Sequence, residues 1–301
     1  MASRWEAILG ERLDPHGRES AAAAASLVPL LAANAGSADT DRRIPEANLV
    51  ALREAGLLRL AVPRALGGHG AGLRTMIAAC AELGRGCAST AWVTAVHGAG
   101  STLAGRLGDD ARAQIWAGSP DVIISGALGV PRRARRVPGG VTVDGRWSWV
   151  SGIRHADWVG LDVQAEPAGG GTPQRAMAFT PVAAVTVEDT WDMAGMRGTG
   201  SDTVIAENLF VPDDLVLRTW SPPAERAKLR RYSNIRSKST SRGRCSPPRP
   251  GGSSIPPGRR SQTRYRRRFH DAMKVLRDEL ALTLGPRTAD WAVSCWFLQP
   301  S

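Results

Sequence analysis

The sequence predicts an α+β protein, with a helical N-terminal domain over residues 1–118 and a small β-barrel or sandwich domain over 119–220. Three features predict it. Alanine- and leucine-rich stretches with helix stop signals fill the first region. The second switches to short β-branched and aromatic runs between glycine and proline turns. Beyond Trp220 the chain becomes basic and rich in Ser, Pro and Arg, with no periodic apolar positions until 271–284. That composition predicts a largely disordered tail over 221–301 with one amphipathic helix at 271–284.

Residues 21–25 and 27–33 favour helix, with Pro29 interrupting the second run. Pro45 suits a first helical position, Leu49, Leu52 and Leu57 approximate one face, and Gly56 stands near the stop. Residues 73–85 and 89–107 are further helices, and Asp109 is expected to cap a short one ending near Gly118. Leu66-Gly67-Gly68-His69-Gly70-Ala71-Gly72 is a glycine-rich loop, but no buried strand leads into it within a βαβ unit, so it is no dinucleotide fingerprint. Strands are expected over 122–124, 141–143, 158–163, 175–179, 185–187 and 203–205, with residues 169–171 as a hairpin loop.

Charge separates the regions. Residues 221–301 carry 18 of the 39 Lys and Arg but 5 of the 28 Asp and Glu, so the net charge of +11 comes from the tail. The first 220 residues have the balance of an ordinary enzyme and no electrostatic footprint for nucleic acid. At 43% hydrophobic the chain can bury a substantial core, yet it has no apolar run long enough for a membrane span. Cys80, Cys87, Cys245 and Cys295 form no CxxC pair and no metal spacing, which predicts a reduced, cytoplasmic protein without structural disulfides.

The stretch 139–220 holds the chemistry. Asp144-Gly145 is a two-residue hairpin signal between a strand at 141–143 and a return strand from Arg146. Period two then puts Trp147, Trp149 and Ser151 on one face. Two readings follow: core tryptophans beside a strand-end serine, or an indole that lies against a flat heterocycle while the hydroxyl bonds its edge. In Ser89-Thr90-Ala91-Trp92-Val93-Thr94-Ala95-Val96-His97, the histidine sits among small and apolar residues, and by that alone it reads as a satisfied interior residue.

Trp147-Ser148-Trp149-Val150-Ser151-Gly152, Ile153-Arg154-His155-Ala156-Asp157-Trp158, the run from Asp189 to Ser201 and Phe210-Val211-Pro212 occur in an order that resembles the middle domain of the acyl-CoA dehydrogenase superfamily. The resemblance spans about residues 18–217 and is closest to the flavin-dependent monooxygenase branch, which includes dibenzothiophene monooxygenase and two-component phenol hydroxylases. It implies FMN or FAD as cofactor, with Trp149 and Ser151 on the flavin and Thr199 and Ser201 adding polar contacts. It also implies catalytic roles for His97 and Ser151, a small-molecule substrate, a partner flavin reductase and a homotetramer. Where the dehydrogenases carry Thr-Glu-Pro, this chain has Ser125-Gly126-Ala127-Leu128-Gly129-Val130-Pro131 without a glutamate, which favours hydroxylase over acyl-CoA dehydrogenase.

Other readings attach to the tail. The family's C-terminal helical bundle has no match after Trp220, so the sequence is also consistent with an inactive, truncated or frame-shifted member, with weak flavin binding and poor solubility as the expectation. Arg266-Arg267-Arg268 between Tyr265 and Phe269 is the one candidate surface for nucleic acid or a membrane.

Overall fold

The computed structural model describes residues 13–166 and 170–217. The readings at 221–301, including the helix at 271–284 and Arg266–Arg268, lie outside the described residues, as does Gly169. The N-terminal part is helical: α1 (Pro15–Ser26), α2 (Val28–Ala33), α3 (Ala35–Asp41), α4 (Glu46–Glu54), α5 (Leu73–Gly84), α6 (Ala88–Ala104) and α7 (Asp109–Ile115). Asp14 caps α1 by accepting from the Gly17 N–H at 2.7 Å. Pro29 lies in the first turn of α2, where a missing N–H costs nothing, so it opens a helix instead of breaking one. Pro45 is the N-cap of α4, one residue earlier than expected. Asp109 does not cap α7 with its side chain; Gly108 holds the N-cap position, and Asp109 pairs with Arg112 from the first turn. No single described helix is long and apolar enough to cross a membrane.

Seven strands follow: β1 (Ile124–Val137), β2 (Gly140–Val150), β3 (Trp158–Ala165), β4 (Gln174–Pro181), β5 (Thr186–Glu188), β6 (Asp202–Pro212) and β7 (Val216–Leu217). They form one mixed sheet in the order β5-β6-β2-β1-β3-β4-β7. β1 and β3 pair in parallel, and the other neighbours are antiparallel.

The hairpin expected at Asp144-Gly145 is elsewhere. β2 runs unbroken through both residues, and the turn lies at Pro138-Gly139, where Val137 pairs with Gly140. Gly139 has φ 77°, so a proline is followed by a left-handed glycine, a combination that suits a type II turn. Asp144 instead serves a bulge. The β2–β6 register shifts between Val143 and Gly145, and the Asp144 carboxylate accepts the backbone N–H of Asn208, itself at φ 47°, at 2.6 Å.

Two apolar cores meet at the first residues of β1. The sheet core includes Trp147, Val159, Leu161, Phe179 and Val204, and the helical core includes Leu31, Leu52, Leu57, Leu83 and Ile123. α6 lies so close to β1 that a Cβ on Gly100 would stand 2.6 Å from the Ile124 carbonyl oxygen. Cys80 and Cys87 are free and buried, and burial pushes the Cys80 thiol up to about 12, so it stays protonated and unreactive.

Candidate functional site

The expected shared face of Trp147, Trp149 and Ser151 does not form. Trp147 is 4% exposed and donates from Nε1 to the Asp162 carbonyl at 3.0 Å, whereas Trp149 is 38% exposed. The cause is local. The β2–β6 register shifts again between Trp147 and Val150, and Trp149 takes φ 71°. A residue in left-handed backbone breaks the two-residue alternation, so the second indole turns away from the core. Such a conformation costs a bulky residue about 1–3 kcal/mol and persists only where neighbours over-determine it.

Ser151 lies just past this bulge and is buried. Gly152, at φ 73°, makes the turn beyond it; a Cβ there would stand 2.7 Å from Val93 Cγ1 on α6. The Gly152 N–H donates to the Thr199 carbonyl at 2.8 Å, joining the turn to the 189–201 loop. Ser151, Ser201 and Thr199 are thereby brought together, with Ser151 Oγ 2.8 Å from Ser201 Oγ and Ser201 Oγ 2.6 Å from Thr199 Oγ1. Thr199 Oγ1 donates to the Met196 carbonyl at 2.9 Å. At the other end Trp92 Nε1, on α6, donates to Ser151 Oγ at 2.9 Å. An indole N–H only donates and a carbonyl only accepts, so satisfying every link sets one direction: Trp92 to Ser151 to Ser201 to Thr199 to Met196.

Trp92 was not singled out by sequence spacing, because 59 residues separate it from Ser151. Asp202 was missed for the same reason. Fully buried, it takes Arg154 Nε on one oxygen at 2.5 Å, and the backbone N–H groups of Thr190 and Trp191 on the other at 3.0 Å each. Arg154 also reaches Asp189 at 3.0 Å, and Arg42 on the helical side reaches Asp189 at 2.7 Å. These ion pairs hold the 189–201 loop over the hydroxyl chain. Asp189 is thereby held below the usual carboxylate range, first by its bond to Arg42.

His97 is not part of the hydroxyl chain. It is 2% exposed, with Nε2 2.5 Å from the Leu58 carbonyl and Nδ1 accepting the Ile124 N–H at 2.9 Å. Those partners fit the neutral ring with its proton on Nε2, and desolvation lowers its pKa, outweighing the raising effect of the two backbone bonds. The link to the site is indirect: Ser125, the residue after Ile124, donates from Oγ to the Ser151 carbonyl at 2.6 Å. His155 and Asp157 also work as stitches between helices and sheet. His155 Nε2 accepts the Ile44 N–H at 3.2 Å, and the Asp157 carboxylate accepts the Ile123 N–H at 2.8 Å.

Residues 67–71 of the glycine-rich loop offer no anion cradle. The N–H groups of residues 67 to 71 all turn inward, to the carbonyls of Arg64, Pro63, Arg59, Val62 and Leu60. Among the described residues no group of three or more His, Cys, Asp or Glu is placed to hold a metal.

Helices packed against a mixed sheet match an acyl-CoA dehydrogenase-like architecture. Residues 20–118 match the acyl-CoA dehydrogenase N-terminal domain family, and the chain is similar to flavin-dependent monooxygenase oxygenase components. It is 32% identical over 193 residues to the oxygenase component of the FADH(2)-dependent resorcinol hydroxylase of Rhizobium sp. (strain MTP-10005), covering 64% of this chain and 47% of that protein. It is 34% identical over 198 residues to the flavin-dependent monooxygenase oxygenase subunit HsaA of Rhodococcus jostii, covering 64% and 50%. Among solved structures, the 3-HSA hydroxylase from Rhodococcus sp. RHA1 superposes with a TM-score of 0.61 at 33% identity, over 64% of this chain and 49% of that one. XiaF from Streptomyces sp., in complex with FADH2 and glycerol, superposes with 0.63 at 29% identity, over 68% and 52%. The chain thus spans about half the length of the relatives it matches.

Proposed function

We propose that this chain is the flavin-binding part of a two-component monooxygenase that hydroxylates an aromatic or related small molecule with reduced flavin supplied by a partner reductase. The observation that carries the reading is the half-exposed Trp149 indole, held in left-handed backbone two residues before the buried Ser151. Conformational strain kept at one aromatic residue next to a fixed hydroxyl suits a site that stacks a flat ring and bonds its edge. The exposed side chains of Met193 and Met196 give the adjoining loop an apolar surface as well. The relatives named above include an FADH(2)-dependent resorcinol hydroxylase and a flavin-dependent monooxygenase, and the XiaF structure is a complex with FADH2.

Bound reduced flavin supplies the activation of dioxygen. The chain's part is to hold it. Trp149 offers a stacking face and Ser151 a hydroxyl donor. Ser201 and Thr199, bonded in series to Ser151, act behind it. His97, with both ring nitrogens engaged, acts as a positioning residue that fixes Ile124 and so the neighbouring Ser125–Ser151 bond. Fluorescence titration with FMN and FAD tests the site. Trp149→Gly suits the local backbone and deletes the ring, and it should weaken binding about fivefold or more, the worth of a stacking partner. Unchanged affinity in a folded variant removes Trp149 from the site. Product analysis with a flavin reductase and phenolic substrates tests the reaction, and light scattering tests the homotetramer that the family resemblance implies.

A further inference from the structure

In the described state Ser151 has no proton to spare for a ligand. Its oxygen accepts from Trp92 Nε1, and its own O–H is committed to Ser201, because Ser201 must donate to Thr199 and Thr199 to the Met196 carbonyl. The chain can be read in reverse at little cost. If Thr199 donates to Ser201, and Ser201 to Ser151, the same oxygen–oxygen distances of 2.6 and 2.8 Å serve equally well. Only the bond to the Met196 carbonyl is given up. That oxygen keeps two other donors, Trp191 Nε1 at 3.1 Å and the Thr199 N–H at 3.1 Å. Reversal rotates three hydroxyls and breaks no covalent bond. It frees the Ser151 proton while its oxygen stays fixed by Trp92.

We infer that Trp92, Ser151, Ser201 and Thr199 form a reversible donor switch, in which a ligand acceptor at Ser151 turns the hydroxyl chain around and Ser201 and Thr199 hold Ser151's proton back until then. The inference rests on the flavin reading of the site for its ligand and on geometry alone for the chain. Trp92, Ser201 and Thr199 are positioning residues, since each acts through Ser151. Hydroxyl chains strengthen cooperatively, so a change at the far end is felt at the near end.

The test uses the full chain, with FMN and FAD as probes and 15N-labelled tryptophan. In the switch, Ser201 competes with the ligand for Ser151's proton. Ser201→Ala should therefore tighten flavin binding about two- to tenfold, the range of one net hydrogen bond, and Ser201→Thr should restore the wild-type affinity. Thr199→Val should tighten it too, because an orphaned Ser201 proton then turns toward Ser151. Ser151→Ala should weaken it, and Ser151→Ala with Ser201→Ala should lose the gain. A merely structural role predicts the opposite sign at Ser201. With no flavin present, the Trp92 indole resonance, assigned by its loss in Trp92→Phe, should shift in Thr199→Val. Weaker binding in both Ser201→Ala and Thr199→Val, or an indole resonance blind to Thr199→Val, overturns the switch. A wild-type chain that binds neither FMN nor FAD overturns the flavin reading instead, and the two failures are told apart because the indole shift is read without flavin.

Discussion

The glycine-rich loop at 66–72 and the loop at 189–201 are built on different principles. The first satisfies its backbone within itself: five consecutive N–H groups meet carbonyls of residues 59–64, and Gly68 lies so close to Val62 that an added Cβ would stand 2.2 Å from the Val62 carbonyl oxygen. Its donors are fixed and spent. The second is tied down by side chains, through Asp202, Arg154 and Asp189, and keeps hydroxyls whose protons can turn. Rigid backbone bonds make a loop structural, whereas rotatable hydroxyls on a pinned loop leave it able to respond to a ligand.

Four perturbations sharpen that contrast. Asp202→Ala should have the largest effect. It leaves Arg154 partly unpaired and orphans the Thr190 and Trp191 N–H groups, at a cost of about 3–5 kcal/mol read as a lower urea midpoint. Hydrogen exchange should speed up over 189–201 and stay unchanged over 66–72. Gly68→Ala should do the reverse, costing about 1–3 kcal/mol through overpacking against backbone, with flavin affinity unaffected. Acidification should be milder. Burial depresses the pKa of His97 and of His155. The unfolded chain then takes up protons that the folded chain refuses. Stability should be fully present above the ordinary histidine value of about 6.5 and fall as pH drops below it. His97→Gln should shrink that slope in pH-dependent thermal melts. Gly195→Ala should have the smallest effect, within about 0.5 kcal/mol, since nothing stands within 4 Å of its would-be Cβ.

The two tryptophans of β2 show why the site was only partly legible. Alternation placed Trp147 and Trp149 together, and it failed because a bulge sets Trp149 at φ 71°. The bulge depends on how β2 registers against β6, some 55 residues away, which local spacing does not encode. Asp144-Gly145 misled for a related reason: a turn signal inside a strand also suits a bulge, and Pro138-Gly139 served as the hairpin. Ser151, Thr199 and Ser201 were legible as a group through the family resemblance. Trp92 and Asp202 were not, because each is defined by partners remote in sequence.

By itself the sequence determined the switch from helical to strand periodicity near residue 120, the charge divide at Trp220 and the segments that carry the flavin resemblance, since composition, propensity and motif order are local properties. The tertiary structure alone decided which indole faces the core and which faces outward, that His97 spends both nitrogens on Leu58 and Ile124, and that residues 67–71 of the glycine loop spend their N–H groups on nearby carbonyls. It also decided that three hydroxyls line up between an indole donor and a carbonyl acceptor. Each of these is a question of where a hydrogen-bonding group finds its partner. Burial forces that question to be answered, and only the packed chain brings the partners within reach.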